Sequence, residues 1–167
     1  ADTMYKMGRE RAIYNRLIKE KLPPSGKRVS VVGGGPAGLA AAFWLVRLGH
    51  EVTIYEARSE AGGVPLWGIP AYRLPKDVLR KELGFIRKLG VRFVFNTRVG
   101  RDLSWERVAE MSDAVLVCLG AQADIELGIA GEGLPGVLTG SAFLEQVSLG
   151  KRPGLGGEVV VVGGGNT

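Results

Sequence analysis

The sequence predicts an α/β fold, a parallel β-sheet with flanking helices, and three observations predict it. Four short apolar runs, at residues 29–32, 52–55, 91–95 and 114–121, are β-branched and bounded by turn residues, as buried parallel strands are. Helical patterns separate them, which is the alternation of a βαβ sheet. Gly33, Gly35 and Gly38 follow the first run at G-x-G-x-x-G spacing, and Glu56 closes the second run 18 residues after Gly38.

The first unit carries the most information. After the run at 29–32, Gly33 permits a sharp turn and Gly35 lets the backbone approach a pyrophosphate. Gly38 lets the next helix pack close on the strand. Residues 39–46 are almost wholly apolar, which predicts a helix buried against the sheet, and Gly49 ends it as a left-handed cap. Glu56 then stands where an acid accepts hydrogen bonds from a ribose 2′-hydroxyl. Strand, glycine turn, helix and acid together point to a dinucleotide site. A carboxylate rather than Arg or Lys at position 56 disfavours NADP there.

Ahead of this unit, residues 3–20 predict a helix with an imperfect stripe of Met4, Met7, Ile13, Leu17 and Ile18, suited to packing on a neighbouring domain; residues 22–26 read as a linker. Past Glu56, residues 57–75 form a long irregular segment, of the kind that is usually functional. Gly62 and Gly63 in it would let main-chain amides approach a phosphate or a flavin ring. A turn-rich surface loop explains the same residues equally well.

Lys76 begins a helix after Pro75, with Leu79, Leu83 and Ile86 on one face. Ser104 caps a short helix that runs through Met111. Cys118, on the fourth strand, reads as a small core residue, and His50 as a surface or capping one. Residues 122–139 form an irregular crossover, 141–147 a short helix and 150–157 a linker. The run at 158–162 followed by Gly163, Gly164 and Gly165 restarts the opening pattern, which predicts the first strand and turn of a second dinucleotide-binding fold.

Composition narrows the class. Of the 22 basic and 17 acidic residues in the 167-residue chain, eight and three fall in residues 1–28, so the net charge of +5 resides there. That segment lacks aromatic platforms and base-reading motifs, which argues against nucleic acid as a partner. No apolar run is long enough to span a bilayer and no stretch has signal-peptide anatomy, so a cytoplasmic protein that does not enter a membrane is the expectation. A single cysteine excludes an internal disulfide or a four-cysteine metal site within these residues.

Several motifs together carry a family resemblance: residues 31–38, Glu56, Gly62-Gly63, Gly68-Ile69-Pro70, Tyr72-Arg73-Leu74-Pro75, Asn96 with Val99-Gly100, Asp113-Ala114-Val115, Leu119-Gly120-Ala121, residues 134–137 and residues 163–167. The chain resembles the glutamate synthase small (β) subunit family. That group includes the flavin part of dihydropyrimidine dehydrogenase and the large subunit of NADH-dependent ferredoxin:NADP oxidoreductase. The resemblance implies a Rossmann-like FAD-binding domain over residues 27–149, after an N-terminal helix (1–21) and linker (22–26). Residues 150–167 would then begin an NAD(P)-binding domain. It implies electrons passing from NAD(P)H through FAD to iron–sulfur centres or to a larger synthase-type partner subunit.

By matching position, Gly33, Gly35, Pro36, Ala37 and Gly38 would hold the FAD pyrophosphate, and Glu56, Ala57 and Arg58 would lie at the adenosine ribose. Gly63 would lie at the diphosphate, and Gly68, Ile69 and Arg73 near the ribityl chain or ring. Val99 would meet the adenine and Gly120 would pass close to the cofactor. Gly163, Gly165, Asn166 and Thr167 would open the NAD(P)H site. No side chain is assigned as an acid or base, because the cofactors carry the chemistry. The family's cysteine-rich segment, the rest of its NAD(P) domain and its returning flavin-covering part have no counterpart in these residues, so the chain alone is expected to hold FAD without turning over. Two other readings stay open at this point: an NAD-dependent dehydrogenase using the first site for NAD, and a non-enzymatic interaction module on a Rossmann shell.

Overall fold

The structure, a computed structural model, describes residues 10–121 and 123–165, with side chains from Asn15 onward. Four strands, β1 (Arg28–Val32), β2 (Glu51–Tyr55), β3 (Arg92–Val94) and β4 (Ala114–Val117), form one sheet in the order β3-β2-β1-β4. Every pairing is parallel. The helices are α1 (Glu10–Lys19), α2 (Pro36–Arg47), α3 (Val64–Trp67), α4 (Lys76–Lys88), α5 (Trp105–Glu110) and α6 (Gly140–Ser148). Among the described residues no helix is long and apolar enough to cross a membrane.

Strand alternation divides the core. Val31 and Ile54 pack with Ala42, Val46, Val52, Phe85, Leu89 and Val91 between the sheet and helices α2 and α4. Their neighbours Val32 and Tyr55 point to the opposite face and pack with Val108 of α5. Ile54 and Val31 are completely buried, each contributing roughly 1.5–3 kcal/mol of hydrophobic stabilisation.

Helix α2 is less buried than its sequence suggests. Only Gly38, Ala42 and Val46, one stripe at four-residue spacing, are fully covered. A helix lying on a sheet has one inner face, so Trp44 stays outside, where the Arg47 guanidinium sits 5.1 Å from its ring centre. The expected cap is present: Gly49 has φ 86°.

Two expectations need correction. Leu17 and Ile18 of α1 pack against the core of this domain rather than waiting for a neighbouring one. The segment behind them is pinned as well, with Leu22 N–H donating to the Arg47 carbonyl (2.8 Å) and Ser25 N–H to the Gly49 carbonyl (2.9 Å). The run at 158–162 forms no strand, and Val160, Val161 and Val162 are exposed. A strand needs a hydrogen-bonded neighbour, and the four-stranded sheet does not include this run. Smaller differences are a β4 that stops at Val117 and an α6 that starts one residue early, because Thr139 Oγ1 accepts from Ala142 N–H (3.3 Å) and caps it.

Candidate functional site

The site lies at the carboxyl ends of the strands, where open α/β sheets bind ligands. Register brings Val32, Tyr55 and Val94 level across three strands, with Val117 beside Val32. The residues that follow them therefore converge. Gly33 N–H donates to the Tyr55 carbonyl (2.9 Å), and Glu56 N–H to the Val94 carbonyl (2.9 Å).

Within the turn, the glycines are glycine for different reasons. Gly33 has φ 108°, and a Cβ there would stand 2.3 Å from the Cys118 carbonyl oxygen. At Gly38 a Cβ would stand 2.0 Å from the Gly33 carbonyl oxygen, so any side chain would push α2 off β1. Gly35 has neither reason. Its φ is −76°, and a Cβ would have no heavy atom nearer than the Gly63 Cα at 3.8 Å. The protein alone does not require glycine at this position. A ligand drawn against the main chain would.

Gly35 is the N-cap of α2, no side chain caps it, Pro36 follows and the first turn holds no acid. The N-terminus of a 12-residue helix thus presents its amides and positive dipole end to solvent beside a bare glycine. Pro36 and Ala37 are exposed there.

Glu56 is buried and closes the turn from the side. Gly34 N–H donates to its Oε2 and Arg58 N–H to its Oε1, both at 2.8 Å. The carboxylate oxygens keep further lone pairs free while bracing the loop. The segment 60–63 docks from the far side: Gly62 N–H donates to the Gly34 carbonyl (2.8 Å), and a Cβ on Gly63 would stand 2.9 Å from the Gly35 Cα. Gly33, Gly35, Pro36, Ala37, Gly38, Glu56, Ala57, Arg58 and Gly63 are therefore one assembly.

The other proposed positions are placed less closely. Gly68 caps α3, donating to the Val64 carbonyl (2.8 Å), and the Ile69 amide donates to the same oxygen (2.9 Å). Lys76 Nζ ties this loop down through the Pro65 carbonyl (2.8 Å) and the Ile69 carbonyl. Burial first, then nearby Arg80, lowers its pKa from the usual lysine value. Arg73 is exposed and no hydrogen bond or ion pair ties its side chain to the glycine turn among the described residues. Val99 is half-buried and bridges to Leu103. Gly120 is exposed with φ 68°. Gly163 and Gly165 are exposed, and a Cβ on either would meet nothing within 4 Å. Asn166 and Thr167 lie outside the described residues.

Several contacts at the site had no signal of their own in the sequence. Gly34 anchors Glu56 from 22 residues away, which only the β1–β2 register reveals. Asn96 adopts φ 53°, a left-handed conformation that asparagine tolerates, and its amide donates to the Arg58 carbonyl (3.0 Å). The Arg58 guanidinium lies 5.5 Å from the centre of the Trp67 ring and pairs with Glu145 of α6. Helix α3 itself carries readable marks, Gly63 at its N-cap and Pro65 in its first turn. Cys118 is half-buried, and burial raises its thiol pKa, as a core role requires.

A larger cleft, about 640 Å³, lies at the opposite ends of the strands, lined by Lys21, Arg28, His50, Glu51 and Arg92 among others. None of Gly33 to Gly38 lines it. Within the described residues, no group of histidine, cysteine and carboxylate side chains could hold a metal ion.

Comparison with known proteins agrees with this geometry. The model of the family described as pyridine nucleotide-disulphide oxidoreductase matches residues 27–167. The chain is 47% identical over 145 residues to the NADP(+)-dependent formate dehydrogenase subunit beta of Moorella thermoacetica, covering 85% of this chain and 20% of that protein. The chain is also 35% identical, over 170 residues, to the glutamate synthase (NADPH) small chain of Bacillus subtilis, covering 95% of this chain and 34% of the relative. Among solved structures, Mycobacterium tuberculosis FprA in complex with NADPH superposes with a TM-score of 0.65 at 27% identity, over 75% of this chain and 29% of FprA. The chain spans between a fifth and about a third of the length of these relatives.

Proposed function

The chain belongs to the pyridine nucleotide-disulphide oxidoreductase family, and from that premise we propose that it is the FAD-binding part of an NAD(P)H-dependent flavoprotein oxidoreductase of glutamate synthase small-subunit type. The observation that carries this reading is Gly35, a glycine that neither backbone conformation nor packing demands, set at the uncapped start of α2 beside the buried Glu56 carboxylate.

The residues present suit FAD. The amides of the first α2 turn and Gly35 receive the pyrophosphate, with no side chain in the way. Glu56 accepts from the adenosine ribose while its links to Gly34 and Arg58 fix it in place. Ala57 and Arg58 flank that ribose, Gly63 closes on the diphosphate, and Val99 and Gly120 border the adenosine half. Gly68 and Ile69, on the loop tethered by Lys76, border the ribityl chain or ring, with exposed Arg73 next to them. When bound, FAD would supply the chemistry of accepting hydride from a nicotinamide and passing electrons onward. The chain's own work is to bind, to orient and to keep water from the dinucleotide.

The second glycine pattern at Gly163 and Gly165, with Asn166 and Thr167, begins the NAD(P)H site in this reading. The electron acceptor is an iron–sulfur centre or a larger synthase-type subunit, in the cytoplasm. The names of the relatives, with NADP or NADPH in each, support a nicotinamide donor. The test is the visible spectrum of the purified protein after reconstitution with FAD and removal of excess. Flavin absorption that stays with the protein and is released as FAD on denaturation is expected. A colourless protein after reconstitution would overturn the reading in favour of an NAD-only site or an interaction module.

A further inference from the structure

We propose that Glu145 is a specificity-determining residue of the first dinucleotide site: it holds the Arg58 guanidinium against Trp67 and off the ribose edge, so that the site takes an adenosine with a free 2′-hydroxyl and not one with a 2′-phosphate. The proposal rests on the reading of residues 33–58 as the seat of an ADP moiety.

The end of β2 carries two opposed chemical groups. The Glu56 carboxylate suits a ribose hydroxyl, whereas an arginine close by is what a 2′-phosphate pairs with. Arg58 is placed to do so. Its own amide donates to Glu56 Oε1 at 2.8 Å, so its backbone stands beside the carboxylate that would hold the ribose, and its long side chain has the reach. Its backbone cannot drift, because the Asn96 amide donates to its carbonyl at 3.0 Å.

The side chain, however, already has partners. Its guanidinium donates to Glu145 Oε1 and lies over the Trp67 ring at 5.5 Å. Trp67 is itself fixed, its indole N–H donating to the Glu60 carbonyl at 3.3 Å. Glu145 comes from 87 positions later in the chain, on a helix with no fully buried residue. A carboxylate on so lightly packed a helix stabilises the fold little, and its evident effect is on where Arg58 points. Both partners of the pair are about one third exposed, 35% and 37%, so the tether is weak enough for a competing phosphate to be measured against it.

Calorimetric titration of the purified protein with ADP and with ADP bearing a 2′-phosphate tests this. Wild type should prefer ADP. In Glu145→Ala the affinity for the 2′-phosphorylated ligand should rise about fivefold, the scale of a partly exposed ion pair, with ADP affinity nearly unchanged. That gain should vanish in the Glu145→Ala, Arg58→Ala double variant and shrink at high salt. Glu145→Gln, which keeps the side-chain volume, should give a gain in the same direction and serves if the alanine variant does not fold. A merely structural role would move both ligands together. An unchanged preference in the variants, or a gain that persists without Arg58, would overturn the proposal while leaving the FAD reading intact. Failure of wild type to bind ADP at all would overturn both.

Discussion

Gly33 and Gly163 hold the same place in the same pattern, a valine-rich run followed by three glycines, and have nearly the same φ, 108° and 102°. Their surroundings are opposite. A Cβ on Gly33 would press within 2.3 Å of the Cys118 carbonyl, whereas one on Gly163 would meet nothing within 4 Å. The valines before Gly33 are buried, Val31 at 0% exposure, while Val161 before Gly163 is 81% exposed. What separates the turns is not local sequence but what closes on them. The first is built by β2, β4 and the 60–63 segment, and no described element does this for the second. A glycine pattern is thus a permit for a phosphate site, and the neighbouring strands make the site.

The widest test of that comparison is a matched pair of substitutions. Gly33→Ala adds the cost of a left-handed alanine, about 1–2 kcal/mol, to a clash against fixed backbone costing about 1–3 kcal/mol more. Gly163→Ala carries at most the first. Urea unfolding should therefore separate the two variants by about 2 kcal/mol; equal losses would show that the first turn is not held by its neighbours.

Next in size is Glu56→Gln. The amide group of glutamine cannot accept from both Gly34 and Arg58, so one buried N–H loses its partner at about 1–3 kcal/mol. Stability and FAD affinity should fall together, since one carboxylate serves both. A loss of affinity with unchanged unfolding would mean that bracing the loop is not part of its role.

Leu17→Ala should cost less, about 1 kcal/mol, because the side chain is only partly covered. Its effect on unfolding should appear without change in FAD affinity, since α1 lies away from the glycine turn. A stability change within error would return α1 to the role expected from its sequence, a surface for another domain.

The smallest effect concerns Cys118, whose carbonyl stands against Gly33. Burial raises the thiol pKa, so less thiolate is present at any given pH than in the unfolded chain. Alkylation of the native protein should reach half its maximal rate at a higher pH than in denaturant. A midpoint at or below the denatured one would show that the wall behind the first turn is open.

The first βαβ unit was legible because each of its signals is local: the β-branched run, the glycine spacing, the Gly49 cap and the acid at residue 56. The second role of Glu56 was not, since Gly34 becomes its neighbour only through the Val32–Tyr55 register. The buried face of α2 was over-read because apolar content does not say which side meets the sheet; Trp44 faces outward. The run at 158–162 was read as a strand because it repeats the opening pattern, but strand formation is a property of a pair. Arg58 was placed at the ribose by matching position, and its ion-pair partner, Glu145, lies on a helix 87 residues later, beyond the reach of any local signal.

In the proposed reading, the first turn holds the ADP half of FAD. Titrating the purified protein with FAD, with FMN and with ADP as competitor, followed by flavin fluorescence, isolates that claim. One FAD bound per chain, displaced by ADP, with FMN binding far more weakly, is the result expected of a pyrophosphate seated at Gly35 and a ribose at Glu56. FMN bound as tightly as FAD, or FAD that ADP does not displace, would contradict it.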